Sequence, residues 1–438
     1  MGDKIRVLSV CTSDSSGGAA RAAYRIHLAV RKCGIDSRMF VKNKGTADEN
    51  VLPVSDFLPH NALYRTFDLV RNKVKNKWQH YQWGKYPNKG PYFMSDLRST
   101  DISEALQKID YDVLHLHWVN LRFLPLDKLP KDKPIVWTLH DSWPFCGVCH
   151  VPMDCHRYET GCGCCPQLGS DDLQDLSHRV WLKKQKLYND LNLHIVTPSN
   201  WLAECARGSA LFKGYDIRVI PNCLDVNVFR PLSESEISPR WKALQAEKKR
   251  YLIFGAMNAV KDRNKGFSFL LSALKKIEDS MSDVELLVFG ANESDLQMDV
   301  KMRVHYLGFI GKAEELVSLY NLSSAAVVPS MSEVFGQTAS EALACGTPVV
   351  AFRCTGIQDV VDHQVNGYLA DPYDPMDLAD GILWCLENNS DDRLSHNARQ
   401  KVLDRYSPAL VGEQFSRLYN ELVNHHGEAS RVGEVNGY

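Results

Sequence analysis

The sequence lacks any apolar run near the ~20 residues that cross a bilayer, so it is not expected to form a membrane-spanning helix. It has little net charge, −2 over 438 residues, which leaves no bulk electrostatic case for a nucleic-acid partner. The G-x-G-x-x-G dinucleotide fingerprint is absent. The opening residues 1–18 hold too short an apolar core for a secretory signal. Gly2 is followed by Arg6 where a myristoylation motif needs Ser or Thr. The expected compartment is therefore the reducing cytosol. What is present is ordinary for a folded protein, 44% hydrophobic and 24% charged residues, with length enough for two or three domains. Cysteine is the exception, with thirteen. In a reducing compartment that count favours metal binding over disulfides.

Short apolar runs alternate with helix-forming stretches along the whole chain, the pattern of an α/β protein with parallel sheets. Ile5–Val10, Met39–Lys42, Asp112–His117, Ile135–Leu139, Leu193–Thr197 and Ile217–Ile220 read as strands of a first half. Tyr251–Gly255, Val284–Gly290, Val304–Leu307, Ala325–Pro329 and Val349–Phe352 read as strands of a second. Asn366–Leu369 reads as a hairpin. Tyr406–Leu422 reads as a final helix, and 426–438 as a flexible tail.

The stretch Ala325–Phe352, AAVVPSMSEVFGQTASEALACGTPVVAF, carries the most chemistry. It reads as strand, polar loop, helix Gln337–Ala344 and strand, with Gly346 and Pro348 closing the helix. Ligands of such units sit at the carboxyl ends of the strands. The helix start after Phe335-Gly336 offers backbone N–H groups and a positive dipole end, which suit a phosphate. Glu333 and Glu341 beside a phosphate site suit a phosphate that carries sugars, because carboxylates accept hydrogen bonds from hydroxyl pairs. In the second half, the polar loop Ala256–Gly266 is dense in cations, and Lys265 and Arg263 are the candidates to meet a diphosphate.

This block resembles the E-x7-E element of retaining glycosyltransferases of family 4, whose fold is GT-B. The resemblance covers nearly the whole chain and extends to Pro221-Asn222-Cys223-Leu224-Asp225, similar to the family's PNGVD hinge. It implies two doubly wound, Rossmann-like α/β domains facing a central cleft. An acceptor domain would span 1–221 and a nucleotide-sugar donor domain 222–404. A helix at 405–425 would cross back onto the first domain. By resemblance Glu333 would contact the donor sugar, Glu341 the nucleotide ribose, and the backbone of Phe335, Gly336, Gln337 and Thr338 the diphosphate. Phe309, after the strand 304–307, lies in the turn that would face the base. Lys265-Gly266 match the family's K-G pair. The Arg that usually precedes them is replaced by Ala256-Met257, which leaves Arg263 or Lys261 as its substitute.

In the first half, Gly17 and Gly18 follow a strand and let backbone approach a ligand closely, with Arg21 at the helix start. The resemblance places this loop towards the donor. The segment TLHDSWPFCGVCH is similar to a TLHD-x-WP segment of exopolysaccharide-type, colanic-acid-like members, whose His lies next to the transferred sugar. His140 therefore ranks first as a catalytic candidate, Asp141 second and His117 third. Trp118, Trp143 and Phe145 either stack on sugar rings or pack. The expected reaction is sugar transfer with retention of anomeric configuration, from a UDP- or GDP-sugar to a saccharide or lipid-linked acceptor of surface polysaccharide synthesis. The lack of a D-x-D motif near a strand end argues against a metal-held diphosphate, so no cofactor is expected for catalysis. A nucleotide-sugar-binding regulatory subunit without turnover is the alternative.

Two further segments stand out. Cys149, Cys155, Cys162 and Cys165 are spaced by five, six and two residues, with His150, His156, Cys146 and Cys164 as spare ligands. Four thiolates suit a closed, structural zinc site with no position open for catalysis. One or two disulfides, or free thiols, are the alternatives. Residues 61–83 form a basic amphipathic helix candidate, with Leu63, Phe67, Val70, Val74 and Trp78 on one stripe. Such a helix either lies on the inner face of an anionic membrane as a peripheral contact or covers a core with its basic side solvated.

Overall fold

The structure, a computed structural model, describes residues 4–57, 77, 81–94, 102–121, 123–247, 249–255, 262–279, 281–291 and 299–435. The expected amphipathic helix 61–83 lies outside these apart from 77 and 81–83, and Lys261 lies outside as well. The chain divides into two compact units, Met1–Ile220 with Gly412–Tyr438, and Pro221–Val411.

The first unit holds β1 (Arg6–Ser13), β2 (Asp36–Asn43), β3 (Val51–Pro53), β4 (Val113–Leu116), β5 (Ile135–Thr138), β6 (Leu193–Thr197) and β7 (Ile217–Val219). They form one sheet in the order β3-β2-β1-β4-β5-β6-β7, with every neighbouring pair parallel. Val7–Cys11 and Val113–Leu116 are buried along their whole length, as strands covered on both faces must be. Helices α1 (Gly18–Lys32), α2 (Ser103–Gln107), α3 (Leu176–Tyr188) and α4 (Asn200–Gly208) connect the strands. Asp175 starts α3 by accepting from the Ser177 and His178 amides, and Ser199 starts α4 by accepting from Leu202. The sole D-x-D spacing, Asp110-Tyr111-Asp112, precedes β4 and pairs with Arg6.

The second unit begins with α5 (Lys242–Glu247) and β8 (Arg250–Gly255). It continues through α6 (Phe267–Ile277), β9 (Val284–Phe289), β10 (Val304–Gly308), α7 (Ala313–Leu322), β11 (Ser323–Val328), α8 (Gln337–Ala344), β12 (Val349–Phe352), β13 (Gly367–Ala370), α9 (Pro375–Glu387) and α10 (Arg393–Tyr406). Its sheet runs β10-β9-β8-β11-β12-β13, again parallel throughout. Alternate residues feed opposite faces. Tyr251, Ile253, Ala326 and Val349 pack with Leu319, Tyr320 and Leu343. Leu252, Phe254, Val327 and Val350 pack with Leu270, Leu274 and Ile382 on the other face.

Two expectations need correction. Asn366–Leu369 is no hairpin: Gly367–Ala370 is β13, parallel to β12 from Val349↔Gly367 to Phe352↔Ala370. The last helix, α11 (Pro408–Val435), continues through most of the segment expected to be a tail. Gly412 sets α11 against α1, since a Cβ there would stand 2.7 Å from the Ala29 carbonyl oxygen.

Candidate active site

The strand order of the second unit reverses between β8 and β11, and open α/β sheets take ligands at such a switch point. A small cavity opens there. Phe254 and Gly255 from the end of β8, Val327–Ser330 from the end of β11, and Lys265, Glu333 and Thr338 line it. Gly266 has φ +68°, and a Cβ on it would fall 1.8 Å from the Pro329 carbonyl oxygen, so only glycine lets these two segments touch. Asn264 fastens the contact: its carbonyl accepts from the Met331 amide at 2.8 Å and its side-chain amide donates to the Ser332 carbonyl at 2.7 Å. On the loop's other flank, the Glu333 amide donates to Thr355 Oγ1 at 3.0 Å and the Gly356 amide to the Glu333 carbonyl at 2.8 Å. The 330–336 loop is thus clamped from both sides.

Within this frame Lys265 Nζ lies 2.6 Å from Glu333 Oε1, with side chains 23% and 19% exposed. Gly336, at φ +92°, precedes α8, and no side chain caps that helix. Its positive end therefore adjoins the cavity wall made by Thr338. Glu341 is buried in α8 at 4% exposure. Phe335 is buried and meets the Tyr406 ring edge-on at 5.1 Å, which anchors the start of α8. Arg263 is exposed and is not among the lining residues. Phe309 is 78% exposed. The cavity thus gathers Lys265, Glu333 and Thr338, with Gly336 and Gln337 at the helix start. Asn264 and Thr355, which hold the loop, went unread in the sequence. Asn264 stands between the two expected cations, and Thr355 precedes the Gly356 turn.

The first unit's order reverses between β1 and β4. Asp14, just past β1, accepts from the Gly45 amide (2.7 Å), the Thr46 amide (2.9 Å) and Thr46 Oγ1 (2.7 Å), which pins the loop before α1. Gly17 enters α1 at φ +91°, yet a Cβ there would meet nothing within 4 Å. The backbone twist, and no close approach by other protein atoms, calls for glycine at that position. Arg21 is exposed in the first turn.

Three imidazoles cluster here: His115 inside β4, and His117 and His140 just past the ends of β4 and β5, with the rings of His117 and His140 stacked. His117 Nδ1 lies 3.1 Å from His140 Nε2, and the His115 and His117 ring centroids are 4.0 Å apart. His115 is fixed by Thr138 Oγ1 and by Tyr419 OH, each at 2.7 Å. Burial lowers all three: His140 to about 4, His115 to about 3 and His117 well below the usual value, so all are neutral imidazoles at pH 7. His140 is the half-buried member at the edge, while His117 is 2% exposed. Asp141 accepts from Trp118 Nε1 at 2.8 Å and from the Trp143 amide at 2.9 Å, so it orients its neighbours; burial pushes its carboxyl up. Trp143 and Phe145 are buried packing residues. Lys184 is 2% exposed, and its Nζ sits 3.6 Å from the centroid of the Trp143 ring.

Known proteins resemble this chain in sequence and fold. The family described as "Glycosyltransferase Family 4" matches residues 16–228, and "Glycosyl transferases group 1" matches 238–401. The phosphatidyl-myo-inositol mannosyltransferase of Mycobacterium tuberculosis is 31% identical over 331 residues, 72% of this chain and 75% of the relative. This chain is a family 4 glycosyltransferase. The transferase is also 26% identical over 269 residues to the putative colanic acid biosynthesis glycosyl transferase WcaC of Escherichia coli, 58% of this chain and 61% of the relative. Its fold is GT-B. The structure of Anabaena Alr3699/HepE in complex with UDP-glucose superposes with TM-score 0.61 at 18% identity, over 95% of this chain and 100% of that one.

Proposed function

We propose that this transferase moves a sugar from a UDP- or GDP-sugar to a saccharide or lipid-linked acceptor, with retention and without a catalytic metal, in surface polysaccharide synthesis. The observation that carries the reading is the Lys265–Glu333 pair in the switch-point cavity beside the start of α8.

In this reading the diphosphate lies against the first turn of α8. Gly336, Gln337 and Thr338 supply backbone donors and the helix dipole supplies positive potential. Lys265 turns from Glu333 to the phosphate and stabilises the charge that grows on the leaving group. Glu333 is then released to accept from sugar hydroxyls, and Glu341 accepts from the ribose. Arg263 and Phe309 close on the donor from the exposed rim. His140, neutral and held by His117, supplies a hydrogen bond to a sugar hydroxyl without competing charge. Asp141 keeps Trp118 and the following turn in place. Gly17 and Gly18 shape the loop before α1.

The relatives' names, a phosphatidyl-myo-inositol mannosyltransferase and a colanic acid transferase, support a glycolipid or polysaccharide acceptor. Among the described residues no helix is long and apolar enough to cross a membrane. The proposed setting is the cytosol, with 61–83 as the peripheral contact to a lipid-borne acceptor.

The test is turnover by the purified chain against a panel of UDP- and GDP-sugars without added divalent cation, with the product anomer assigned by NMR. Product from one donor, lost in Lys265→Ala and Glu341→Ala, supports the reading. Donor binding with no hydrolysis or transfer overturns it in favour of the regulatory subunit, and an inverted anomer overturns retention.

A further inference from the structure

The segment 146–168, between β5 and α3, takes no part in the proposed sugar transfer, yet it gathers five cysteines around one cavity. Five cysteines, Cys146, Cys149, Cys155, Cys162 and Cys165, line one cavity together with Val148, Tyr158 and Ser177. Its backbone is held in costly shapes. Met153 (φ 50°), Cys162 (φ 54°) and Cys164 (φ 42°) are left-handed non-glycine residues, and Gly161 and Gly163 have φ 137° and 111°. Regular structure in residues 146–168 amounts to two single-turn helices, Arg157–Glu159 and Pro166–Leu168, and one antiparallel bridge from Cys149 to Phe93. Strain of this kind persists where the surroundings fix the segment from several sides. Here Gly147 packs onto Ser177, where a Cβ would stand 2.3 Å from the carbonyl oxygen. Gly163 packs onto Leu173 in the same way, at 2.4 Å.

The structure separates the candidate ligands. Cys164 turns away and donates its thiol to the Asp171 carbonyl at 3.1 Å. His156 is exposed beside Glu159 at 3.0 Å. His150 meets Tyr92 edge-on at 5.8 Å. None of these three lines the cavity. Cys162 Sγ accepts from the Gly147 amide at 3.2 Å. Amides aimed at sulfur in this way stabilise metal-bound thiolates. Cys146 is buried at 1% exposure and lines the same cavity as a fifth thiol, its side chain bonded to that of Cys149.

We propose that Cys149, Cys155, Cys162 and Cys165 bind one structural zinc ion as a closed tetrathiolate. Each thiol gives its proton to solvent on binding, and the ion offsets the burial of four anionic sulfurs. The sulfurs surround the cavity more widely than a bound tetrahedron would. Among the described residues only Glu247, Glu285 and His305 bring three ligand-type atoms within 4.8 Å of one another. Zinc, at about 2.3 Å from each sulfur, would draw the two cysteine-bearing loops together. The Glu247–Glu285–His305 group carries no such proposal. Arg303 lies 3.1 and 3.9 Å from its two carboxylates, and His305 Nε2 is 2.6 Å from Glu285, so protein cations and donors already meet its charge.

The experiment is metal analysis and thiol counting on the full chain, purified without chelator. One zinc per chain is expected, and all thirteen thiols react after denaturation with chelator. Cys149→Ser and Cys155→Ser lose the zinc, while Cys146→Ser and Cys164→Ser keep it. Should the ligand variants fail to fold, cobalt(II) in the wild-type chain reads the same site: thiolate-to-cobalt charge transfer with intense tetrahedral bands supports four sulfurs. No metal with all thiols free overturns the proposal. Missing thiols, which mean disulfides, overturn it as well. Loss of zinc in Cys146→Ser with retention in Cys155→Ser overturns the ligand set.

Discussion

Lys265 Nζ and Glu333 Oε1 are 2.6 Å apart, so two side chains assigned to different parts of one ligand are bonded to each other. Removing each should therefore give a different signature. Lys265→Met is expected to weaken nucleoside diphosphate binding at least tenfold and to lower kcat/KM about 10²-fold, roughly 2.7 kcal/mol of transition-state stabilisation. Glu333→Gln is expected to keep nucleoside diphosphate binding within a few-fold while turnover falls. Calorimetric titration with UDP and GDP beside steady-state kinetics separates the two. Equal losses of diphosphate binding in both variants would contradict the assigned roles.

Gly266 predicts a contrast between two glycines. An alanine at Gly266 must take φ +68° and displace the Pro329 carbonyl, which is backbone. The expected loss is about 2–4 kcal/mol, with donor binding lost as the cavity floor shifts. Gly34 has φ +90° but nothing within 4 Å of a Cβ, so Gly34→Ala should cost only about 1 kcal/mol of strain. Urea unfolding of the two variants compares them, and equal losses would refute the close-contact argument.

The sequence made α8 legible residue for residue, because Gly336, Gly346 and Pro348 bracket a run of good helix formers. Strand positions were legible for a similar reason: strands buried on both faces are written as unbroken apolar runs. What local pattern could not convey was partnership. Asn366-Gly367 looks like a hairpin turn, but whether the next residues fold back or join β12 depends on a strand eighteen residues earlier, as in the register pair Val350↔Tyr368. Lys265 was the preferred cation, through its match to the K-G pair, and Arg263 stood only as a substitute for a missing arginine. One tight turn sends the first into the cavity and leaves the second exposed. Asn264 and Thr355 act through bonds to Ser332 and Glu333, across 68 and 22 residues, which no short window displays.

His117 is a positioning residue for His140, since its Nδ1 is 3.1 Å from His140 Nε2 and its ring is buried. His140→Ala is expected to lower kcat about 10²-fold through loss of a hydrogen bond at the reacting sugar. His117→Gln keeps a donor and an acceptor near the same place and is expected to lower kcat about tenfold with the donor KM unchanged. A rise in KM at constant kcat for His117→Gln would assign it to ground-state binding instead.

Stability should fall with acid over a defined window. His27 and His115 are both fully buried, and burial holds His27 at about 4 and His115 at about 3 against an ordinary 6.5. Between the folded and unfolded values the unfolded chain binds more protons, so unfolding free energy rises with pH there. Both contributions are complete above pH 6.5 and are lost progressively as pH falls towards 4 for His27 and towards 3 for His115. Each is worth on the order of 3 kcal/mol, discounted for relaxation around the charged ring. Urea midpoints at pH 7.5, 6 and 5 should decline in that order, and His115→Gln, which keeps bonding capacity towards Thr138 and Tyr419, should flatten the slope. A midpoint independent of pH across this window would mean that these imidazoles are hydrated or charged in the fold.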